Sequence, residues 1–240
     1  MYNTAVGYQA GGAVTTGIQN TLIGGLAGDA ITTANNNTAV GKSSLSATTT
    51  GGENTAVGIN ALKDNTTASN NTAVGTNAST ANTTGASNTA VGYAALSVNT
   101  SGASNTAVGY DSLKVNTTAA NNVAVGKSAL TANTTGAQNT AVGHTAGAGI
   151  TTGDYNQAFG YQSMSGGTVT GDSNSGFGAA TLYALTSGAN NVAVGRNALI
   201  ANTTASNNTA VGYASLTANT TGAGNVAFGS EALSTNVAGS

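Results

Sequence analysis

The chain contains no cysteine, no proline and no tryptophan. Without cysteine there is no disulfide framework and no thiolate metal site. Without proline, no backbone ladder is broken for want of an amide donor. Charge is nearly as scarce: five Lys and Arg stand against seven Asp and Glu, and charged residues make up 5% of the chain. So few cations cannot build a stripe that tracks phosphates, which argues against nucleic acid as a partner. The same scarcity removes the repulsion that keeps copies of a chain apart. His144 is the only histidine, so a histidine metal cluster is excluded. No apolar run approaches membrane-spanning length, and Met1-Tyr2 leads straight into the first repeat. Neither membrane insertion nor a signal peptide is expected.

What the chain does contain is repetition. An Asn opens each of fourteen copies, at Asn3, Asn20, Asn37, Asn54, Asn71, Asn88, Asn105, Asn122, Asn139, Asn156, Asn174, Asn191, Asn208 and Asn225. The step is 17 residues everywhere except Asn156 to Asn174, where it is 18. A fixed short period is the signature of a solenoid, each copy forming one coil stacked on the last. The expected fold is all-β: a parallel β-solenoid, one continuous array over 1–240 with a one-residue insertion within 156–173. Gly166, Gly167 and Gly171 make that insertion readable as a bulge. Such an array suits a structural or binding element and not an enzyme with one catalytic cleft. No catalytic residue, cofactor or metal is expected.

Numbering the opening Asn as position one, the consensus is Asn-Thr-Ala-Val-Gly, two variable residues, Ala-Leu, two variable residues, Asn-Thr-Thr-Gly-Ala and one variable residue. Positions one and five are Asn and Gly in every copy; two neighbouring copies supply Asn88, Val91, Gly92 and Leu96, then Asn105, Val108, Gly109 and Leu113. Successive strand side chains point to opposite faces, so positions two and four share one face and positions three and five the other. The bulky Val row is expected inside the coil, leaving an Ala/Gly row as a smooth outer face for another chain. A second strand is expected around the Leu of position nine. Three copies carry Gly11, Gly28 and Gly147 there, and these same copies carry Val14, Ile31 and Ile150 at position twelve. That pairing reads as volume compensation in one shared interior. Asn-Thr-Thr-Gly is expected to form a turn, with positive φ at its Gly. The opening Asn is expected to stack as an amide ladder. A core this thin is expected to need packing against other chains.

Two decoys resemble chemistry. Gly41-Lys42-Ser43 and Gly126-Lys127-Ser128 match half a phosphate loop, but Asn36 and Asn121 stand where its first Gly is required. A Ser-His-Asp triad would need His144 with Asp154, and nothing else supports one. The seven carboxylates form no dense calcium loop. Sequons such as Asn65-Thr66-Thr67 are explained by turn chemistry. Position six is the candidate contact row. It holds Tyr8, Tyr93, Tyr110, Tyr161 and Tyr213 with Lys42, Lys127, Arg196 and His144. Stacked coils would align them as a receptor or glycan surface, or as side chains covering grooves between coils or chains.

The Asn-Thr-Ala-Val-Gly unit followed by Ala-Leu and a turn, as at Asn88 to Gly92 and in the variant Asn191-Val192-Ala193-Val194-Gly195, resembles the head repeat of YadA-like trimeric autotransporter adhesins, a repeat that also occurs in bacteriophage tail fibres. The resemblance implies a left-handed parallel β-roll, three chains around one axis and a role in surface attachment. Its period is longer than is usual for the adhesin head, and no coiled-coil stalk or membrane anchor is seen, which favours a phage fibre segment or an excised rod. The expected function is a trimeric tail-fibre or adhesin-head module on a virion or extracellular surface. Its expected partners are its own copies, also stacked end to end, and a glycan or protein receptor. The alternatives are an ice-binding solenoid, suggested by aligned threonines, and a self-assembling filament. The two turn threonines are adjacent, so only one of each pair can join an outward row.

Overall fold

A computed structural model describes residues 2–239. The chain divides into two compact units, Met1–Asn121 and Asn122–Ser240. The first holds β1 (Thr4–Val6), β2 (Thr21–Ile23), β3 (Thr38–Val40), β4 (Thr55–Val57), β5 (Thr72–Val74), β6 (Thr89–Val91) and β7 (Thr106–Val108). The second holds β8 (Val123–Val125), β9 (Thr140–Val142), β10 (Gln157–Phe159), β11 (Ser175–Phe177), β12 (Val192–Val194), β13 (Thr209–Val211) and β14 (Val226–Phe228). Within each unit every strand pairs in parallel with the next in the chain, each residue against its repeat equivalent. Each unit is therefore a parallel β-solenoid in which one repeat makes one coil, and no helix occurs among the described residues.

The orientation of the strands corrects the sequence expectation. Position three lies inside: Ala39, Ala56, Ala73, Ala90 and Ala107 are fully buried. Position four faces out, with Val57, Val74 and Val194 each 36% exposed; Val91 and Val108 lie half-buried on the same face. The reason is the width of the coil. Position three faces position nine across the interior, and a Leu there already fills the space. A methyl placed on Gly147 would lie 3.1 Å from Cβ of Ala141 and 3.2 Å from Cδ1 of Ile150. A Val at position three would therefore overfill the section.

Among the described residues no second strand forms around position nine. Positions seven and nine instead carry left-handed backbone: Asn60 (φ 57°) and Leu62 (φ 50°), Ala94 (φ 51°) and Leu96 (φ 54°), Asp111 (φ 53°) and Leu113 (φ 50°). This double reversal turns the chain sharply while keeping it on the inter-coil ladder. The amide of Asn60 donates to the carbonyl of Lys42 in the preceding coil, and that of Leu62 to Ala78 in the following one. A left-handed Leu is costly, and complete burial of Leu62, Leu96 and Leu113 offsets that cost. Gly11, Gly28 and Gly147 adopt the same φ. The volume compensation is real and includes one more residue. A methyl on Gly28 would lie 2.8 Å from Ile31 and 2.8 Å from Leu22, while one on Gly11 would lie 2.8 Å from the same Leu22. Leu22, the large exception at position three, fills what two interior glycines leave empty.

The smooth Ala/Gly outer face is likewise not found. Gly92 has φ 134°, and a Cβ on it would lie 2.5 Å from the carbonyl oxygen of Gly109. The close approach that requires glycine is between successive coils of one chain. Gly102, at position fifteen, does not have the positive φ expected of a turn glycine; its Cβ would collide with the carbonyl of Ala119 and the side chain of Asn99.

Polar ladders hold the coils in register. The opening asparagines from Asn20 to Asn208 are buried. Within each unit the side-chain oxygen of one accepts the backbone amide of the next, as from Asn88 to Asn71 and Asn105 to Asn88 at 2.9 Å. A second ladder runs through position twelve, where Asn82, Asn99 and Asn116 are also buried: Asn99 donates to Asn82 and Asn116 to Asn99, both at 2.9 Å. The turn Asn thus acts between coils as well as locally. The first turn Thr joins them where it is present, Thr83 Oγ1 donating to the carbonyl of Thr100 at 2.9 Å.

The extra residue lies before Val169, whose carbonyl accepts from Thr151 in the regular way. Val169 is buried and bridges Ile150. Gly166 lies beneath the ring of Tyr183, which a Cβ would overlap, and Gly167 lies against the backbone of Leu185. Gly171 belongs to the regular ladder, accepting from the Asn156 amide.

Candidate functional site

Two outward rows bear on contact with a partner. The first is the flat strand face of positions two and four. Thr at position two, with Val123, Gln157, Ser175, Val192 and Val226 as substitutes, lies beside Val, Ile or Phe at position four. None of these residues is charged, although the chain carries twelve charged residues, five basic and seven acidic. The sequence expectation missed this face because it placed the Val row inside.

The second is position six, where the structure places the predicted contact residues in the open. Tyr8, Tyr93, Tyr110, Tyr161, Tyr213, Lys42, Lys127, Arg196 and His144 are all exposed. In the first unit Tyr93 and Tyr110 stack with centroids 5.2 Å apart and planes at 14°. In the second, His144 stacks on Tyr161 at 5.6 Å and 19°. Stacking along the coil axis turns ring faces toward one another and leaves edges and hydroxyls to solvent. A sugar ring prefers an aromatic face, so this arrangement fits groove covering better than glycan stacking. Nearby, Asp111 accepts a 3.1 Å hydrogen bond from Lys114 and thereby holds its ammonium above the ordinary lysine range.

The decoys have structural roles. The amide of Gly41 donates to Ile23 and that of Ser43 to Gly25, so the backbone around Lys42 is committed to the ladder and cannot cradle a phosphate. Asp154 accepts the Ala137 amide at 2.7 Å, while the ring of His144 packs on Tyr161. Asn65 of the sequon is fully buried. Among the described residues no three His, Asp or Glu side chains converge as metal ligands, and no helix is long and apolar enough to cross a membrane. The second turn position is open, as at Thr84, whereas the Thr83 hydroxyl is bound within the ladder. No protein-family model matches the chain, and no curated protein matches it.

Proposed function

We propose that the chain is a structural fibre module of the tail-fibre or adhesin-head kind, which self-associates as a homotrimer and presents contacts to a host surface without catalysing a reaction. The observation that carries this reading is the charge-free strand face with its partly exposed Val, Ile and Phe row. Water contact along such a face is unfavourable. A partner with the same coil spacing meets it row for row, and another copy of the chain has that spacing. The exposed position-six residues, with hydroxyls, cations and ring edges toward solvent, offer hydrogen-bonding contacts to a protein or glycan receptor on a virion or extracellular surface.

The test is sedimentation of the full chain across a dilution series. A trimer that persists on dilution supports the reading, and a folded monomer at every concentration overturns it. Species that lengthen with concentration would favour the filament. One observation favours ice binding as a second reading: the second turn Thr, as at Thr33, Thr50, Thr67 and Thr84, is exposed in coil after coil. Thermal hysteresis in dilute protein would support it, and its absence would remove it.

A further inference from the structure

A strand face that repeats every coil has a register problem. Rows of identical Val on two copies can slide by one coil, about 4.8 Å, and meet equally well. Something aperiodic has to distinguish one alignment from the others.

Position four of the second unit supplies it. Along β8 to β14 the residues are Val125, Val142, Phe159, Phe177, Val194, Val211 and Phe228. Phe159 and Phe177 stack with centroids 5.1 Å apart and planes at 11°. Phe159 is half-buried and Phe177 39% exposed, while Phe228, on the last strand with no coil beyond it, is 83% exposed. The longer rings raise aromatic steps on an otherwise even surface. The three Phe occupy the third, fourth and seventh strands of the unit, so their separations are one, three and four coils. No two separations are equal. Two parallel copies in register therefore match all three Phe levels. A slip of one, three or four coils matches one level, and a slip of two matches none. An antiparallel alignment matches two at most.

We infer that Phe159, Phe177 and Phe228 set the axial register and the parallel orientation in which copies of this chain pack face to face, the partner being a second copy of the same chain. This rests on the self-association proposed above. Each matched level buries aromatic surface against aromatic surface, and every slipped level leaves a ring opposite a Val with a gap beside it.

The absence of native cysteine makes the register measurable. Single cysteines are introduced as Val211→Cys and Val194→Cys in differently tagged full-length chains, which are mixed during assembly and oxidised. Disulfides close only when Cα atoms approach within about 7 Å, so a one-coil offset is strongly discriminated. Same-level disulfides at 211 are expected to exceed 211–194 disulfides by about tenfold or more. In the background Phe159→Val, Phe177→Val and Phe228→Val the ratio is expected to fall toward one. That background folds because Val is the majority residue at position four. Equal same-level and offset disulfides in the native background would overturn the inference, as would a register unchanged by the triple substitution or an associated chain that forms neither disulfide. Sedimentation of the same samples separates these outcomes from failure of self-association, which would appear as a monomer.

Discussion

The side-chain amides of Asn88 and Asn99 both donate to the carbonyl oxygen of Gly102, each at 2.9 Å. One is the opening residue of its coil and the other lies eleven positions on, so a single carbonyl ties the two buried ladders together. The same junction recurs at Ala68, Ala205 and Gly222. Buried amides of this kind are stabilising only while every donor and acceptor is matched.

Asn99→Asp tests that condition. The new oxygen would face the side-chain oxygen of Asn82 and the carbonyl of Gly102, where Asn99 now donates. A buried carboxylate among acceptors is expected to cost about 3 kcal/mol or more at neutral pH. Burial raises the folded-state pKa of the introduced Asp above its unfolded value. The folded form then binds the proton more tightly, so the deficit shrinks as pH falls and grows as pH rises through the folded pKa. Denaturant unfolding followed from acid to neutral pH measures this. A deficit independent of pH would show that the site is open to water.

The position-five glycines make a second test. Gly92→Ala puts a methyl 2.5 Å from the Gly109 carbonyl at φ 134°, and a loss of about 3 kcal/mol or more is expected. Gly25→Ala serves as the control, because a methyl there meets nothing within 4 Å. It is expected to stay within about 0.5 kcal/mol of the parent. Thermal unfolding of the two variants should separate them clearly.

Much of this was legible in the sequence. The period gave the coils and their parallel stacking, and the invariant Asn gave the first ladder. The direction of the strand was not legible from hydrophobicity, because Val is expected inside unless the interior is known to be too narrow. The signal that could have decided it was Leu22. It is the one large residue at position three, and it occurs where Gly11 and Gly28 empty position nine. That coupling places position three inside. The second Asn ladder was hidden for a different reason: Asn-Thr-Thr-Gly has turn composition, and inter-coil bonding adds no composition of its own. The left-handed Leu at position nine was hidden because residue preference disfavours it and only burial compensates.

The compensated interior can be measured as a coupling energy. Gly147→Leu alone crowds Ile150, Leu130 and Ala141 and is expected to cost about 1–3 kcal/mol. Ile150→Asn alone removes a fully buried side chain and leaves a void. Together they recreate the consensus pairing of Leu at nine with Asn at twelve. The double variant is expected to be more stable than the sum of the singles by at least about 1 kcal/mol. Simple additivity in a double-mutant cycle would mean that the two positions do not share one interior.

The strand face makes a prediction that separates folding from association. Val57 and Val74 are each 36% exposed on adjacent strands. Val57→Lys with Val74→Lys adds charge to a charge-free face while the buried Ala56 and Ala73 are untouched. The β-type circular dichroism is expected to persist while sedimentation shifts to a smaller species. An unchanged mass would remove this face from the interface.

Ser79 is the position-nine residue that fits its site least. It is buried, its φ is 50°, and its hydroxyl has no hydrogen-bond partner in the protein. The coils on either side carry Leu62 and Leu96, both fully buried, and Ala73 at position three is the small residue that a Leu at nine normally faces. Ser79→Leu removes an unsatisfied hydroxyl and fills the section with the consensus side chain. A gain of about 1–2 kcal/mol is expected, read as a higher midpoint in thermal or denaturant unfolding. The backbone conformation is the same for Ser and Leu at this position, so no strain offsets the gain. A lower midpoint would mean that Leu62 and Leu96 already occupy the space beside Ser79, and that the interior adjusts between coils instead of being filled coil by coil.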